Sequence, residues 1–106
     1  MGFLDFLKGP DINQGLREYG AAPGAVLLDV RTPQEYREGH IPGSVNAPLQ
    51  SIGGAGGVPA GKETPLFVYC YSGARSRQAV GLLARMGYIN VKNIGGIAAY
   101  QGKVER

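Results

Sequence analysis

Two nearly unbroken apolar runs constrain this chain more than anything else in it: Ala25-Val26-Leu27-Leu28-Asp29-Val30 and Pro65-Leu66-Phe67-Val68-Tyr69. A strand with one wet face alternates apolar and polar residues. A run of strand length that does not alternate suits a strand covered on both faces, as in a parallel sheet flanked by helices. The segments around the runs carry helix signals. Asp11 to Tyr19 places Ile12 and Leu16 on one helical face, and Gly20 with Ala21-Ala22-Pro23-Gly24 ends it. Thr32 stands where an N-cap belongs, with Pro33 at the first helical position and Glu35 at the third. Gly39 and Pro42-Gly43 stop that helix early. From Arg75, the set Ala79, Leu82, Leu83 and Met86 has helical spacing, and Gly87 closes it. Ser44 to Ala47 and Val91 to Ile94 are shorter strand candidates, and Ile97 to Gln101 suits one or two helical turns. Strands alternating with helices predict an α/β fold: a small parallel sheet of about four to five strands with helices on both faces.

The chain has 106 residues, the size of one domain, and we expect residues 1–106 to form one. The core must come mostly from Leu, Val, Ile and Ala, because there is no Trp and only three Phe. Between Ser51 and Lys62, five of twelve residues are glycine and one is proline, which predicts a mobile surface loop. The net charge of +3 is modest and the basic residues are scattered. Without a basic stripe or interleaved aromatics, nucleic-acid binding is not expected. No run approaches the ~20 apolar residues that span a bilayer, so no membrane contact is expected either. The start, Met1-Gly2-Phe3-Leu4-Asp5-Phe6-Leu7-Lys8, lacks the basic segment of a signal peptide. Phe6 stands where myristoylation wants Ser or Thr. Residues 1–10 read as a leading segment whose Phe and Leu pack on the domain. One cysteine allows no internal disulfide, and one Cys with one His makes a protein-only zinc site unexpected, so no metal or other cofactor is assigned. A reduced, cytoplasmic setting is the simplest expectation, and it keeps Cys70 a free thiol.

Cys70 follows the second apolar run and opens Cys70-Tyr71-Ser72-Gly73-Ala74-Arg75-Ser76. Ligands of open parallel sheets bind beyond the carboxyl ends of the strands, and Cys70 lies at such an end. If Tyr71 to Arg75 curl around the sulfur, their backbone N–H groups converge on it as an anion nest. The next helix points its positive end at the same place. Gly73 permits a positive φ, Ser72 and Ala74 are small enough for a tight turn, and Arg75 adds a charge. Each of these favours thiolate over thiol. An ordinary cysteine is only about 3% ionised at pH 7, and a shift of ~1.5–2 units makes it half ionised or more. Most free cysteines are buried small hydrophobes. The small polar residues and the arginine that follow Cys70 argue against that reading here.

The loop from Cys70 to Ser76 resembles the active-site loop of single-domain rhodaneses, the sulfurtransferases. Leu28-Asp29-Val30-Arg31-Thr32-Pro33-Gln34-Glu35-Tyr36, then Gly39-His40-Ile41-Pro42-Gly43-Ser44 and Asn46, resembles a second family block. Gly87-Tyr88, Val91 and Gly95-Gly96 resemble a third. The three occur in family order and define a motif-bearing core from about residue 25 to 100. The family often has Trp after the Gly-Gly pair, where this chain has Tyr100, and a chain ending soon after it implies a short terminal helix and an open wall beside the site. The resemblance implies that Cys70 accepts a sulfane sulfur as a persulfide. It also implies a small anionic donor such as thiosulfate and a thiol or cyanide acceptor, with a sulfur-relay protein as a further candidate partner. Four residues separate Cys70 from Arg75, whereas related phosphatases and arsenate reductases use five, and no loop aspartate offers a general acid. The smaller cradle suits a sulfur atom or thiosulfonate better than a phosphate.

On this reading Arg75 orients the donor's anionic group, and the segment Tyr71, Ser72, Gly73, Ala74 and Ser76 cradles the sulfur. Ser72 and Ser76 serve as hydrogen-bond donors or as helix caps. Arg77 reads as solvated. Asp29 and Arg31 are expected to pair with Glu35 or Arg75 and brace the loop. His40, between Gly39 and Ile41-Pro42, reads as turn architecture, since an ionised thiol needs no base. The competing classes are a rhodanese-like binding or regulatory module, an arsenate reductase or phosphatase, and a redox-sensing thiol whose resolving cysteine comes from a partner.

Overall fold

The structure is a computed structural model and describes residues 9–54 and 58–106. The expectation for the leading segment falls on residues 1–8 and lies outside the described residues. Helix α1 spans Ile12–Gly20, capped by Asp11, whose carboxylate accepts from the Asn13 N–H at 3.0 Å. Strand β1 is Val26–Asp29 and helix α2 is Pro33–Glu38. Strand β2 is only Val45–Asn46, followed by a 3₁₀ turn at Leu49–Ser51. Strand β3 is Leu66–Cys70, helix α3 Ala74–Arg85 and strand β4 Val91–Gly96, with a last 3₁₀ turn at Ile97–Ala99.

The four strands form one parallel sheet in the order β2-β1-β3-β4. The predicted architecture stands, at the lower strand count. Alternate residues of a strand face opposite sides of its sheet. Leu28 and Val30, with Leu66, Val68 and Cys70, face the core that Ala79 and Leu83 of α3 complete. Leu27, Phe67 and Tyr69 face the other core, with Ile12 and Leu16 of α1. Both faces are covered, which is why the two apolar runs do not alternate. The same parity puts the Cys70 side chain on the α3 side.

Two expectations need correction. The glycine-rich segment is not simply a surface loop. Ile52 and Val58 are 1% and 8% exposed and close the α3-side core, because their apolar side chains gain more from burial than the backbone loses by being fixed. Residues 55–57 lie outside the described residues. Strand β4 also runs two residues past Ile94. Its register against β3 shifts between Val68 and Tyr69, and this lets Gly95 and Gly96 pair with Tyr69 and Cys70. No helix among the described residues is long and apolar enough to cross a membrane.

Candidate active site

The chain moves from β1 outward to β2, returns to β3, and then moves the opposite way to β4. The strand order therefore reverses between β1 and β3, and a crevice opens beyond their carboxyl ends. Asp29 ends β1 and Cys70 ends β3, so both sit at this switch point.

Cys70 is 1% exposed. The turn after it is closed by Gly73, which caps α3 at φ +103°, a conformation that L side chains rarely adopt. That turn aims the Gly73 N–H at Sγ, 3.0 Å away. The fully buried Ser76, one turn into α3, brings its Oγ to 3.4 Å from Sγ. Burial pushes the Cys70 thiol up, but hydrogen bonds outweigh it and the pKa falls below the ordinary 9.0. These come from the Ser76 hydroxyl and from the backbone N–H groups of Ser76, Gly73 and Ser72. Of the backbone N–H groups of the turn, that of Gly73 makes the hydrogen bond to Sγ. Tyr71, 55% exposed, and Ala74 turn their side chains outward. Ser76 does not cap the helix, since Gly73 occupies that position.

Arg75 does not point at the sulfur in this structure. Its guanidinium makes a two-pronged pair with Glu35, Nη1 to Oε1 at 2.7 Å and Nη2 to Oε2 at 3.0 Å. Glu35 is itself fixed by local sequence. The expected capping box forms: the Glu35 N–H donates to Thr32 Oγ1 at 3.2 Å, and Glu35 Oε1 accepts from the Thr32 N–H at 3.0 Å. One carboxylate therefore caps α2 and clamps the loop arginine. The hydrogen bond from Arg75 is the largest influence on Glu35 and lowers its pKa from 4.5 to about 2. A depressed carboxylate stabilises the fold above its unfolded pKa, and that contribution is lost as pH falls through the folded one. The wild type is therefore expected to exceed Glu35→Gln in stability above about pH 4.5. Denaturant titrations at stepped pH should show the gap closing towards pH 2. A gap independent of pH would mean that the pair contributes nothing.

The expected bracing by Asp29 and Arg31 takes a different form. They pair with each other, not with Glu35 or Arg75. Arg31 Nη2 donates to Asp29 Oδ2 at 2.7 Å, Nε shares both carboxylate oxygens, and the Arg31 backbone N–H donates to Oδ1 at 2.9 Å. Both are buried, and they stand only two residues apart at the end of β1. Arg31 Nη2 also donates to the Gly39 carbonyl at 2.7 Å, and so ties the turn holding His40 to β1. His40 stacks on Tyr36 with ring centroids 3.7 Å apart, and its Nδ1 lies 2.8 Å from the Tyr36 carbonyl oxygen. Its backbone forms an antiparallel bridge with Glu105. Tyr100 donates its hydroxyl to the Lys103 carbonyl at 2.7 Å and packs partly against the α1-side core.

Sequence reasoning missed Asn93. Its Oδ1 accepts from Ser76 Oγ at 2.7 Å and from the Gly95 N–H at 2.9 Å. The available signal was its parity: Asn93 lies on the opposite face of the strand from the exposed Lys92. On the same side of the loop, a cavity of about 270 Å³ is walled by Ser72, Gly73, Ala74, Arg77, Asn93 and Gly95, among others. Arg77 is exposed there, as expected.

A buried cysteine that accepts from a backbone N–H at the switch point of a parallel sheet places the chain in a class: α/β domains with a thiol held at the carboxyl ends of the strands. The comparisons narrow it. The model of the rhodanese-like domain family matches residues 13–103. The thiosulfate sulfurtransferase PspE of Escherichia coli is 40% identical over 72 residues, 66% of this chain and 68% of that one. The thiosulfate sulfurtransferase GlpE of Pseudomonas syringae is 40% identical over 88 residues, 82% of this chain and 77% of that one. Among solved structures, a rhodanese with anions from Escherichia coli matches with a TM-score of 0.65 at 35% identity, over 77% of this chain and 98% of that one. A rhodanese-like domain protein from Staphylococcus aureus shares the fold, with a TM-score of 0.77 at 24% identity over 91% and 94% of the two chains. The chain belongs to the rhodanese-like domain family and is an enzyme of the rhodanese type.

Proposed function

We propose that this chain works as a single sulfurtransferase domain that carries sulfane sulfur on Cys70. The observation that carries the reading is the buried Sγ with the Gly73 N–H and Ser76 hydroxyl directed at it, which lowers its pKa. In the first step the Cys70 thiolate attacks the sulfane sulfur of thiosulfate. The sulfur–sulfur bond of the donor breaks, its electron pair leaves with sulfite, and the negative charge passes to the outer sulfur of the new persulfide. In the second step cyanide or a thiolate attacks that outer sulfur, and the electron pair returns to Sγ as thiolate. This is covalent catalysis with donors already in place for the charge on sulfur.

Ser72, Gly73 and Ser76 hold the charge while it is on Sγ, in the thiolate that attacks the donor and that the acceptor regenerates. Tyr71 and Ala74 shape the turn that aims their donors. Arg75 meets the donor's anionic group with the guanidinium N–H groups that Glu35 leaves free; two of five donors are engaged, and the side chain is 36% exposed. Glu35, Asp29, Arg31 and His40 act as supports. The names of the relatives support thiosulfate as donor. A sulfur-relay protein is a further acceptor, and a reducing cytoplasm is the setting that suits a lone free cysteine.

Brief exposure to thiosulfate, followed by intact-protein mass spectrometry, tests the cycle. We expect wild type to gain one sulfur atom and lose it to cyanide with release of thiocyanate, and Cys70→Ser to gain none. Equal uptake by the serine variant would place the sulfur elsewhere. Failure of wild type to load would reject thiosulfate as donor.

A further inference from the structure

Ser76 has one hydroxyl proton and more acceptors than it can serve. Its Oγ lies 2.7 Å from Asn93 Oδ1, 3.0 Å from the Gly73 carbonyl, 3.4 Å from Cys70 Sγ and 3.5 Å from the Gly95 carbonyl. The Asn93 amide cannot be turned round without cost. The Gly95 N–H donates to Oδ1, and Nδ2 faces the Gly73 carbonyl at 3.4 Å. Asn93 therefore presents a fixed acceptor to Ser76, in competition with the sulfur.

We propose that Asn93 is a positioning residue that acts through Ser76, turning the one hydroxyl proton beside the Cys70 sulfur away from it until negative charge appears there. The inference rests on the reading of Cys70 as the sulfur carrier. In the neutral thiol, S–H donates to Ser76 Oγ and the hydroxyl donates to Asn93. In the thiolate, the hydroxyl swings to Sγ, where the bond is charge-assisted and stronger. Once the persulfide forms, the charge sits on the outer sulfur and the proton returns to Asn93. When the acceptor breaks the sulfur–sulfur bond, the electron pair arrives at Sγ and the proton swings back. The competition has a use. Nucleophilicity of a thiolate falls as its pKa falls, while its quality as a leaving group rises. Cys70 must do both in one cycle, and Asn93 holds it between the two extremes.

The other charged groups near the sulfur are the Arg75–Glu35 pair, from α3 and α2, the Asp29–Arg31 pair at the end of β1, and Arg77 of α3, exposed in the cavity that Asn93 also walls. From β4, Lys92 is exposed and engaged with Glu18 of α1. The hydrogen bonds of Asn93 go to Ser76, Gly73 and Gly95 and to none of these groups, so its replacement removes no direct partner of theirs.

The test is the pH dependence of Cys70 alkylation in wild type, Asn93→Ala, Ser76→Ala and the double variant, with no sulfur donor present. Asn93→Ala is expected to lower the midpoint, giving about three- to tenfold more thiolate at a fixed pH below it, the size of one ordinary hydrogen bond. Ser76→Ala is expected to raise it, and in that background Asn93→Ala should add nothing. A role in loop support alone makes the opposite prediction: loosening the turn draws the Gly73 N–H from the sulfur and raises the midpoint in both backgrounds. That result, or an unchanged midpoint, overturns the proposal. If Asn93→Ala does not fold, the near-isosteric Asn93→Asp serves. It should raise the midpoint, and the shift should shrink with Ser76→Ala; an undiminished shift would be a field effect and also overturns it. Since alkylation needs no donor, a wild type that fails to take sulfur from thiosulfate leaves this result standing. A wild type that loads normally, with midpoints unmoved, removes only the role of Asn93.

Discussion

Gly96→Ala is expected to slow persulfide formation about a hundredfold, although Gly96 has no side chain to take part in the chemistry. A Cβ built at Gly96 would lie 2.1 Å from the Tyr71 carbonyl oxygen, 2.5 Å from Ser72 Cα and 2.6 Å from the Tyr71 carbonyl carbon. Real side chains do not approach so closely, and all three atoms are backbone that cannot rotate away. Gly96 pairs with Cys70 across the sheet, so the turn must lift off β4 from its first residue. The same lift strains the bond from the Ala98 N–H to the Tyr71 carbonyl, 3.0 Å in the native chain. Displacing reacting groups by about 1 Å costs roughly a hundredfold in rate. Overpacking adds about 1–3 kcal/mol of instability. Two measurements separate these effects. The rate of sulfur uptake from thiosulfate should fall, and the alkylation midpoint of Cys70 should rise towards its ordinary value as the Ser72 and Gly73 N–H groups move off. A variant that melts lower yet keeps both the rate and the midpoint would show that the turn does not depend on this contact.

Asp29→Ala is expected to be the most destabilising single change in the site, by about 3–5 kcal/mol, the usual cost of leaving one member of a buried ion pair alone. Asp29 is fully buried and the Arg31 side chain is 7% exposed. Without the carboxylate, the guanidinium keeps one described acceptor, the Gly39 carbonyl. The Arg31 backbone N–H loses its partner too. The loss spreads to β2, because Asn46 Nδ2 donates to the carbonyls of both Asp29 and Arg31, at 2.9 and 3.0 Å. Denaturant unfolding should show a lower midpoint. Replacing both partners by apolar residues of similar size should recover much of the loss, since no buried charge then remains. A double variant as unstable as Asp29→Ala would mean that shape, and not the lone charge, sets the cost.

The contrast between these two sites shows which features could be read before folding. The capping box of Thr32 and Glu35 was legible because its partners are three residues apart on one turn. The site's edge was legible because an apolar run ending in cysteine, followed by Gly73 and a helix, can place the sulfur in only one kind of position. The pairing of charges was not. Asp29, Arg31, Glu35 and Arg75 were all named, but two acids and two bases allow more than one pairing, and their spacing along the chain does not decide between partners 40 residues apart. Asn93 was missed for a related reason: it meets Ser76 across 17 residues of sequence, through a register shift that only the paired strands define. The burial of Ile52 and Val58 was hidden by the glycines around them, whose composition says nothing about which core lies within reach.

What the chain determined by itself is the set of local outcomes. The helices begin and end where caps and glycines direct, the two central strands are apolar on both sides, and the cysteine stands at a turn that must curl, because each of these depends on neighbours within one or two turns. Tertiary structure alone decided which acid holds Arg75, which acceptor competes for the Ser76 proton, and how little room Gly96 leaves beneath the loop. Those are distances between segments brought together by packing, and the energies of ion pairs, hydrogen bonds and steric contacts change steeply within the last ångström of approach.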